Sequence, residues 1–556
     1  MISLFLFVLL RCCVLSSSSS SHSPPPPPPR LLRPRPSGGP SSPQEYLDPT
    51  QPPLPLASGA TPSCSLLLLS HSFASTYGQP PVSTLYSSPP CASKSAWATA
   101  VLSFSAASQG DQYDRIAAVW LGGAELLRTS TPEPTPAGIF WTVQKDVTRY
   151  AALLRDDDGL LLSVMLENIV NPALTGVFHV NVSLSFYPAD ADADDAKPTM
   201  FDEPADAVVP ISAENSTADR GFWFRIANGT ENNARKTLVA GIPPNTYRAA
   251  LEVFASAHGD DEFWYSNPPD SYIEKNNLTT RRGNAAFREI VVSVDGQFAG
   301  SVVPFPVIFA GGINPLFWVP VVGLGAFDLP SYTLDLTPFL GLLLDRNKSH
   351  EIGLAVADAI EFWLVDANLH LWLDRNSDSV AAALTTYLAP NISISRRYSS
   401  HSLNGTFKIE AGRKSRFAGW VNSSAGNLTT EVAQKLKFKS SVVFANDGQL
   451  KTVNMKAKQK TDVVLHAENA KAALFRSSVK TKYPFSMCRR TRSPIGRMRG
   501  VDGCQDHDVI AGSAGTRQTY QYRDDGGGVY RRTVAVRDGV ILSDATTKSY
   551  GFAATS

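Results

Sequence analysis

Residues 112–120 read Gln-Tyr-Asp-Arg-Ile-Ala-Ala-Val-Trp, which sets a carboxylate and a guanidinium, Asp114 and Arg115, at the mouth of an apolar strand. Further on, a second strand-like run over residues 162–169 carries one acid, Glu167. Two acids on two strands of one domain supply either a structural ion pair or the acid–base pair of a hydrolase. In the second case a carboxylate handles the proton of an attacking water and another acid protonates the leaving group. Taken alone, Asp114–Arg115 reads as a strand-end ion pair and Glu167 as an exposed strand residue. Other chemistries find less support. His71, His179, His258, His350, His370 and His401 show no metal-ligand spacing, and the cysteines form no Cys-x-x-Cys. No nucleophile elbow or phosphate loop is present. No metal or cofactor is expected.

These residues need a scaffold. The chain has 556 residues, a formal net charge of +1, 43% hydrophobic and 18% charged residues. That is the composition of a globular chain long enough for several cores, and its near-neutral charge argues against a nucleic-acid binder. The apolar run at residues 1–10, ended by Arg11-Cys12-Cys13, is shorter than the roughly 20 residues a membrane helix needs. It reads as a signal peptide within a segment 1–23 that ends Ser-rich, followed by a Pro-rich linker over residues 24–59. Past it lie Cys64, Cys91, Cys488 and Cys504, an even set whose connectivity the sequence leaves open, with the near neighbours Cys64–Cys91 and Cys488–Cys504 preferred. Nine Asn-x-Ser/Thr sequons, at Asn181, Asn215, Asn228, Asn277, Asn347, Asn391, Asn404, Asn422 and Asn427, point the same way. The expectation is a glycoprotein of the secretory pathway, with vacuole, cell wall and extracellular space equally consistent. Residues 301–327 are apolar, but Pro304, Pro306, Pro315, Pro320 and Gly311-Gly312 mark buried strands and turns rather than a membrane span.

Alternation of period two dominates the pattern. Phe178, Val180, Val182, Leu184 and Phe186 are apolar and the residues between them polar, the signature of a half-buried strand. Asp295-Gly296 and Asn446-Asp-Gly448 read as hairpin turns. An internal echo pairs residues 146–156 with 335–345. Each copy has a strand-ending Asp, a Thr placed to cap a short helix, an aromatic and two leucines. The reading is an all-β chain: two tandem jelly-roll-like β-sandwiches over residues 60–200 and 201–376, joined by an acidic linker near 188–204, and a C-terminal β-rich region over 377–556.

The chain resembles the plant-type peptide:N-glycanase A family. The blocks that carry the resemblance are residues 114–130, Glu262-Phe-Trp-Tyr-Ser-Asn-Pro268, residues 283–289, residues 304–315 and residues 362–373. They hold Trp, Gly and Pro at fixed offsets and lie in a resemblance that covers most of the chain from about residue 45 onward. A fainter similarity runs to bacterial peptide:N-glycanase F, which is built from two jelly rolls. Its catalytic aspartate matches Asp114 within Tyr113-Asp114-Arg115, and its second acid matches Glu167. Its third acid, counted back from Phe287-Arg288, falls on Asn284, which is not an acid. Glu262 is the candidate to supply that carboxylate from a neighbouring loop, with Asn284 keeping a binding role.

The resemblance implies hydrolysis of the amide between Asn and N-acetylglucosamine. Intact N-glycans would leave glycopeptides or unfolded glycoproteins, and Asn would become Asp. Asp114 would orient or activate the water or the scissile amide, Glu167 would support it, and Arg115 would bind substrate or stabilise negative charge. Tyr113, Trp264 and Trp318 are candidate sugar platforms, because pyranose faces pack on aromatics. The competing reading is a β-sandwich lectin or wall-associated binding protein without catalysis. Geometry separates the two, since an enzyme needs Asp114, Glu167 and a third polar group in one cleft.

Overall fold

The alternation is realised as stacked antiparallel sheets. The computed structural model describes residues 42–51, 53–54, 56, 59–93, 97–156, 158–189, 203–213, 221–227, 234–313, 317–468, 472–491, 500–501, 515–523 and 529–549. The signal-like segment, most of the acidic linker, Asn215, Asn228 and Cys504 lie outside the described residues.

The first sandwich pairs two sheets. One orders Gln44–Glu45, Ile139–Asp146, Thr99–Gln109, Val177–Tyr187 and Cys64–Phe73. The other orders Val82–Tyr86, Leu160–Leu166, Ile116–Leu121 and Ala124–Ser130. Phe104, Val182, Val119, Val164 and Leu127 meet between them in one core, and the polar Asn181 is left on the exposed face of its strand. Cys64 and Cys91 are joined as a disulfide. Cys488 is exposed and in no disulfide among the described residues.

The second sandwich repeats the plan. Ala207–Ile211, Trp363–Leu373, Thr246–Ala257 and Ser331–Asp335 form one sheet, and Arg235–Leu238, His350–Ala357, Glu289–Val294 and Gln297–Val302 the other. The internal echo is structural. In each copy a strand ends at the Asp, a 3-10 turn follows (Thr148–Tyr150, Thr337–Phe339), and then one turn of α-helix (Ala151–Leu154, Leu340–Leu343). The capping differs from expectation. Asp146 and Asp335 accept the Thr148 and Thr337 N–H at 2.9 Å. The threonine hydroxyls reach across instead to the backbone N–H of Ala100 and Ala249 on the adjoining strand. A short polar side chain satisfies an orphan donor at a helix start; here the Asp, closer to the free N–H groups, takes that role and frees the Thr to tie the turn to the sheet.

Asp295-Gly296 takes positive φ at both residues of a two-residue hairpin. Asn446-Asp447-Gly448, all at positive φ, lie in a four-residue turn between Ala445 and Leu450. Both turns join the strands predicted on either side. Residues 301–327 are expected from the sequence to hold buried strands and turns; among the described residues past Val302, up to residue 330, there is no regular strand. These residues leave Val302 in the second sandwich and lie on the first, where Ala310, Val322, Ala326 and Phe327 join its core. The C-terminal region is a sheet of very long strands, among them Asn404–Ser423, Gly426–Ala445 and Leu450–Ala467, whose inner face packs on the second sandwich through Phe417, Leu436, Phe438 and Val453. A three-stranded sheet, Gly515–Arg523, Val529–Arg537 and Val540–Ser549, closes the chain against Val321.

The sandwiches are joined by charge. Arg128 on Ala124–Ser130 is fully buried and donates to both Glu125 oxygens at 2.7 Å, to Ser256, to the Leu364 carbonyl and to Asp366. Trp120 and Trp223 donate to Asp366 and Glu125, and Asn368 bonds both backbone groups of Glu125. Burial, and then the adjacent Glu125, push Asp366 well above the ordinary carboxylate range. Removing one member of a buried charge cluster strands the rest, at a cost of about 3–5 kcal/mol. Arg128→Met is therefore expected to lower the unfolding free energy by that order, read as a lower denaturant midpoint. A midpoint within error of wild type would show that the cluster does not hold the sandwiches together.

Candidate active site

Antiparallel register delivers the acids. Leu160–Leu166, Ile116–Leu121 and Ala124–Ser130 are neighbours, with Ala117 opposite Leu166 and Ile116 opposite Ser130. Each of the three strands stops at the same end of the sheet. Glu167 follows the first, Asp114-Arg115 precede the second, and Thr131-Pro132-Glu133 follow the third. Asp114 and Glu167 thus stand just outside the strands rather than on them. The backbone stays locked beyond the last pair. Thr131 N–H donates to the Arg115 carbonyl at 2.8 Å, and Arg115 N–H donates to Thr131 Oγ1 at 2.9 Å.

Arg115 lies among the acids. Its Nη2 donates to Gln112 Oε1 at 2.7 Å, and Gln112, itself buried, donates to the Ile169 and Gly176 carbonyls. Burial lowers the Arg115 pKa, and the charges of Asp114, Glu167, Tyr77 and Tyr113 pull it back. Those pulls place Glu167 and Tyr113 in the same electrostatic cluster as Asp114. Arg115 Nε is buried and has no hydrogen-bond partner among the described residues, so the site contains a donor in need of an acceptor.

Gly311 completes the wall. A Cβ there would collide with the Asp114 carboxylate and lie 2.8 Å from a Glu133 oxygen, so only glycine permits this approach. The Gly311 N–H donates to Asp114. Burial raises the Asp114 pKa, and the Gly311 N–H and Arg115 oppose the rise. The segment that carries Gly311 is fixed by Phe309, which stacks on His258, itself stacked on Phe362. Burial, with Arg128 and Arg225 nearby, lowers His258 to about 3 and keeps the ring neutral at working pH.

Glu262 comes from the second sandwich. Thr246–Ala257 ends opposite Trp363, and a 3-10 turn, Gly259–Asp261, follows. Asp261 is fully buried and gripped by Arg288, by Trp363 Nε1 at 2.7 Å and by the Ile360 N–H, which fixes the next residue, Glu262. Burial raises Glu262 to about 7, Arg282 opposes the rise and Asp114 adds to it. Glu262 therefore feels Asp114 across the boundary between the sandwiches.

The remaining predicted residues divide. Asn284 has φ 58°, its backbone N–H donates to Asp270 Oδ1 at 3.0 Å, and its Nδ2 donates to the Asp358 carbonyl at 2.8 Å; its side chain serves a turn. Arg288, the anchor from which that position was counted, instead clamps Asp261 beside Glu262. Trp264 and Trp318 are 2% and 8% exposed and belong to the core of the second sandwich. They offer no open ring face, which corrects their reading as sugar platforms. Tyr113 is half-buried and next to Arg115. Glu133 and Arg282 were not singled out from the sequence. The Gly122-Gly123 turn folds the chain back, and a bulge between Val119 and Trp120 shifts the register by one residue, so that Ile116 faces Ser130 and Thr131 bonds Arg115. Glu133, two residues further, is thereby brought to the sheet end that carries Asp114.

The sequence model of the family described as peptide N-acetyl-beta-D-glucosaminyl asparaginase amidase A matches residues 50–390. The chain belongs to this family. A curated relative, peptide-N4-(N-acetyl-beta-glucosaminyl)asparagine amidase A of Prunus dulcis, is 44% identical over 408 residues, which cover 72% of this chain and 70% of the relative. Among solved structures, recombinant peptide:N-glycanase F is similar at 14% identity over 56% of this chain and 96% of its own, with a TM-score of 0.34. PNGF-II matches at 14% identity over 50% and 57%, with a TM-score of 0.34. The candidate acids Asp114, Glu133, Glu167 and Glu262 all fall within the segment matched to the amidase A family.

The raised Glu262 has a stability consequence. The folded chain keeps this proton up to about pH 7, while the unfolded chain loses it near 4.5. Stability therefore falls as pH rises through that window. Glu262→Gln cannot ionise and escapes the loss. The variant is expected to gain on wild type between pH 4.5 and 7, reaching on the order of 1–3 kcal/mol above it. Paired unfolding curves across pH check this, and a pH-independent gap would mean that Glu262 ionises normally.

Proposed function

We propose that this chain hydrolyses the amide between an Asn side chain and N-acetylglucosamine, releasing intact N-glycans from glycopeptides or unfolded glycoproteins and leaving Asp in the peptide. The observation that carries the reading is the meeting of Asp114, Arg115, Glu133 and Glu167 at one sheet end with Glu262 from the second sandwich, in a chain of the amidase A family. A lectin would not need one carboxyl held protonated beside another at the mouth of two sandwiches, and the named relative is an amidase.

The roles follow from charge state. Asp114, steadied by the Gly311 N–H and Arg115, is the carboxylate that takes a proton from the attacking water. The water oxygen bonds to the amide carbon, and the carbonyl oxygen gains negative charge. The half-buried Arg115 guanidinium donates to that oxygen, where a fixed donor in a dry site acts most strongly. Glu262, protonated to about pH 7, delivers its proton to the sugar-linked nitrogen as the carbon–nitrogen bond breaks. Glu167 holds Arg115 by charge, and Glu133 stands beside Asp114 over Gly311. Tyr113, half-buried, and Tyr77, 38% exposed, are the aromatics of the Arg115 cluster that a sugar can reach. The disulfide Cys64–Cys91 supports a secretory or extracellular setting, since such bonds persist in oxidising compartments. Among the described residues no helix is long and apolar enough to cross a membrane.

Asp114→Asn is expected to cut release of glycan from a labelled N-glycopeptide by about 10³-fold or more, with glycopeptide binding retained. Full activity in that variant would remove Asp114 from the reaction. Glu262→Gln is expected to lose about 10²–10⁴-fold and to abolish the decline of wild-type activity as pH rises through about 7. A variant profile that keeps this decline would assign the proton to another group.

A further inference from the structure

The outer face of the C-terminal sheet carries a lattice of lysines. Four strands set Lys414 opposite Lys435, Lys435 opposite Lys460, and Lys460 opposite Lys480, so one cross-strand row is lysine throughout. Two residues along each strand, the next row places Lys437 opposite Lys458 and Lys458 opposite Lys482. A third row adds Lys439 opposite Lys456. The intervening residues, such as Leu436, Phe438 and Ala457, point inward to the core shared with the second sandwich. The lysine face is consequently turned to solvent.

Like charges placed directly across a strand pair oppose sheet formation. Carboxylates relieve this only at the margins. Glu410 meets Lys439 at 3.2 Å, and Asp462 meets Lys460 at 2.6 Å. Lys435, Lys437, Lys458 and Lys482 have no ion pair among the described residues. Rows across a sheet repeat at about 4.8 Å, and alternate residues along a strand at about 6.7 Å. The face is therefore a regular array of cations at spacings of a few ångströms on a chain whose net charge is only +1.

From this array we infer a binding surface for a linear anionic polysaccharide, one bearing a carboxylate or sulfate on successive sugars. A regular cation grid matches a regular row of anions and asks for no particular base or side chain. Single-stranded nucleic acid is the less suited occupant. Its binding surfaces add aromatic side chains on which bases stack, and the residues interleaved with these lysines on the outer face are Gly412, Ser441, Asn454 and Pro484. The array also lies beyond residue 390, outside the segment matched to the amidase family, so the inference stands apart from the proposed reaction.

The test is binding of polygalacturonate to the full chain by affinity electrophoresis and calorimetry at 50 mM and 500 mM salt. Wild type is expected to bind at low salt and weaken at least tenfold at high salt. The variant Lys435→Gln/Lys437→Gln/Lys458→Gln is expected to lose at least tenfold at low salt, while its release of glycan from a glycopeptide stays at the wild-type rate. Its unfolding midpoint is expected to equal or exceed that of wild type, because opposed lysines have been relieved. The single variant Lys437→Glu, which perturbs the sheet less, is expected to lose about threefold. Failure of wild type to bind at low salt, or undiminished binding by both variants, overturns the proposal. Tighter binding of a single-stranded oligonucleotide than of polygalacturonate of equal charge overturns the choice of occupant.

Discussion

A guanidinium with no access to water must have its donors satisfied by protein, and at Arg128 that requirement spans two domains. Glu125 comes from its own strand, while Ser256, the Leu364 carbonyl and Asp366 come from the second sandwich. An apolar interface tolerates sliding, because burial is non-directional. A buried charge cluster does not, because each displaced hydrogen bond leaves a polar group stranded. The same strand, Ala124–Ser130, runs on into Thr131 and Glu133 at one end of the sheet, and Ser256 lies just before the turn that presents Glu262. The contact that fixes the sandwiches is thus a short distance along the chain from the acids on both sides. A second polar group reinforces it. Glu252 accepts from Tyr150 at 2.6 Å and from Arg149 at 2.8 Å, and it also meets His370 and Ser331. Burial works to raise Glu252, but His370 and Arg149 outweigh it and hold the carboxyl low.

Much of this architecture could be read from local pattern. Strict alternation at residues 178–186 and the turn chemistry of Asp295-Gly296 and Asn446-Asp447 are short-range signals, and the strands and hairpins stand where those signals put them. The internal echo was legible for the same reason, although its capping chemistry was not. Asp and Thr compete for the same backbone donors, and only the lie of the neighbouring strand decides between them. Asp114 and Arg115 stood out because charge beside an apolar strand is conspicuous in one dimension.

The rest depended on contacts between distant segments. Trp264 and Trp318 have the composition of sugar platforms, but exposure is a property of packing and both rings face inward. Glu133 sits in a Pro-flanked stretch with no periodic signal, and it matters because two strands share a register. Gly311 looked like turn punctuation. Its lack of a side chain is used for the close approach of two carboxylates from another domain. Arg128 and Glu125 lie within a strand that is buried along its whole length, and their pairing with Asp366, Ser256 and the Leu364 carbonyl depends on the second sandwich lying over them.

Residues 303–330 tie the order of synthesis to the appearance of the site. Asp114, Arg115, Glu133 and Glu167 are all made with the first sandwich, whereas Glu262 and Gly311 follow, and the strand Trp363–Leu373 that closes the charge cluster comes later still. Until residues 303–330 are made, the acids of the first sandwich lack the Gly311 N–H, and its core lacks Ala310, Val322, Ala326 and Phe327. Two exposed sequons, Asn277 and Asn347, emerge before the strand Trp363–Leu373. They are therefore made before that strand closes the charge cluster, and the finished fold holds both on its outer surface.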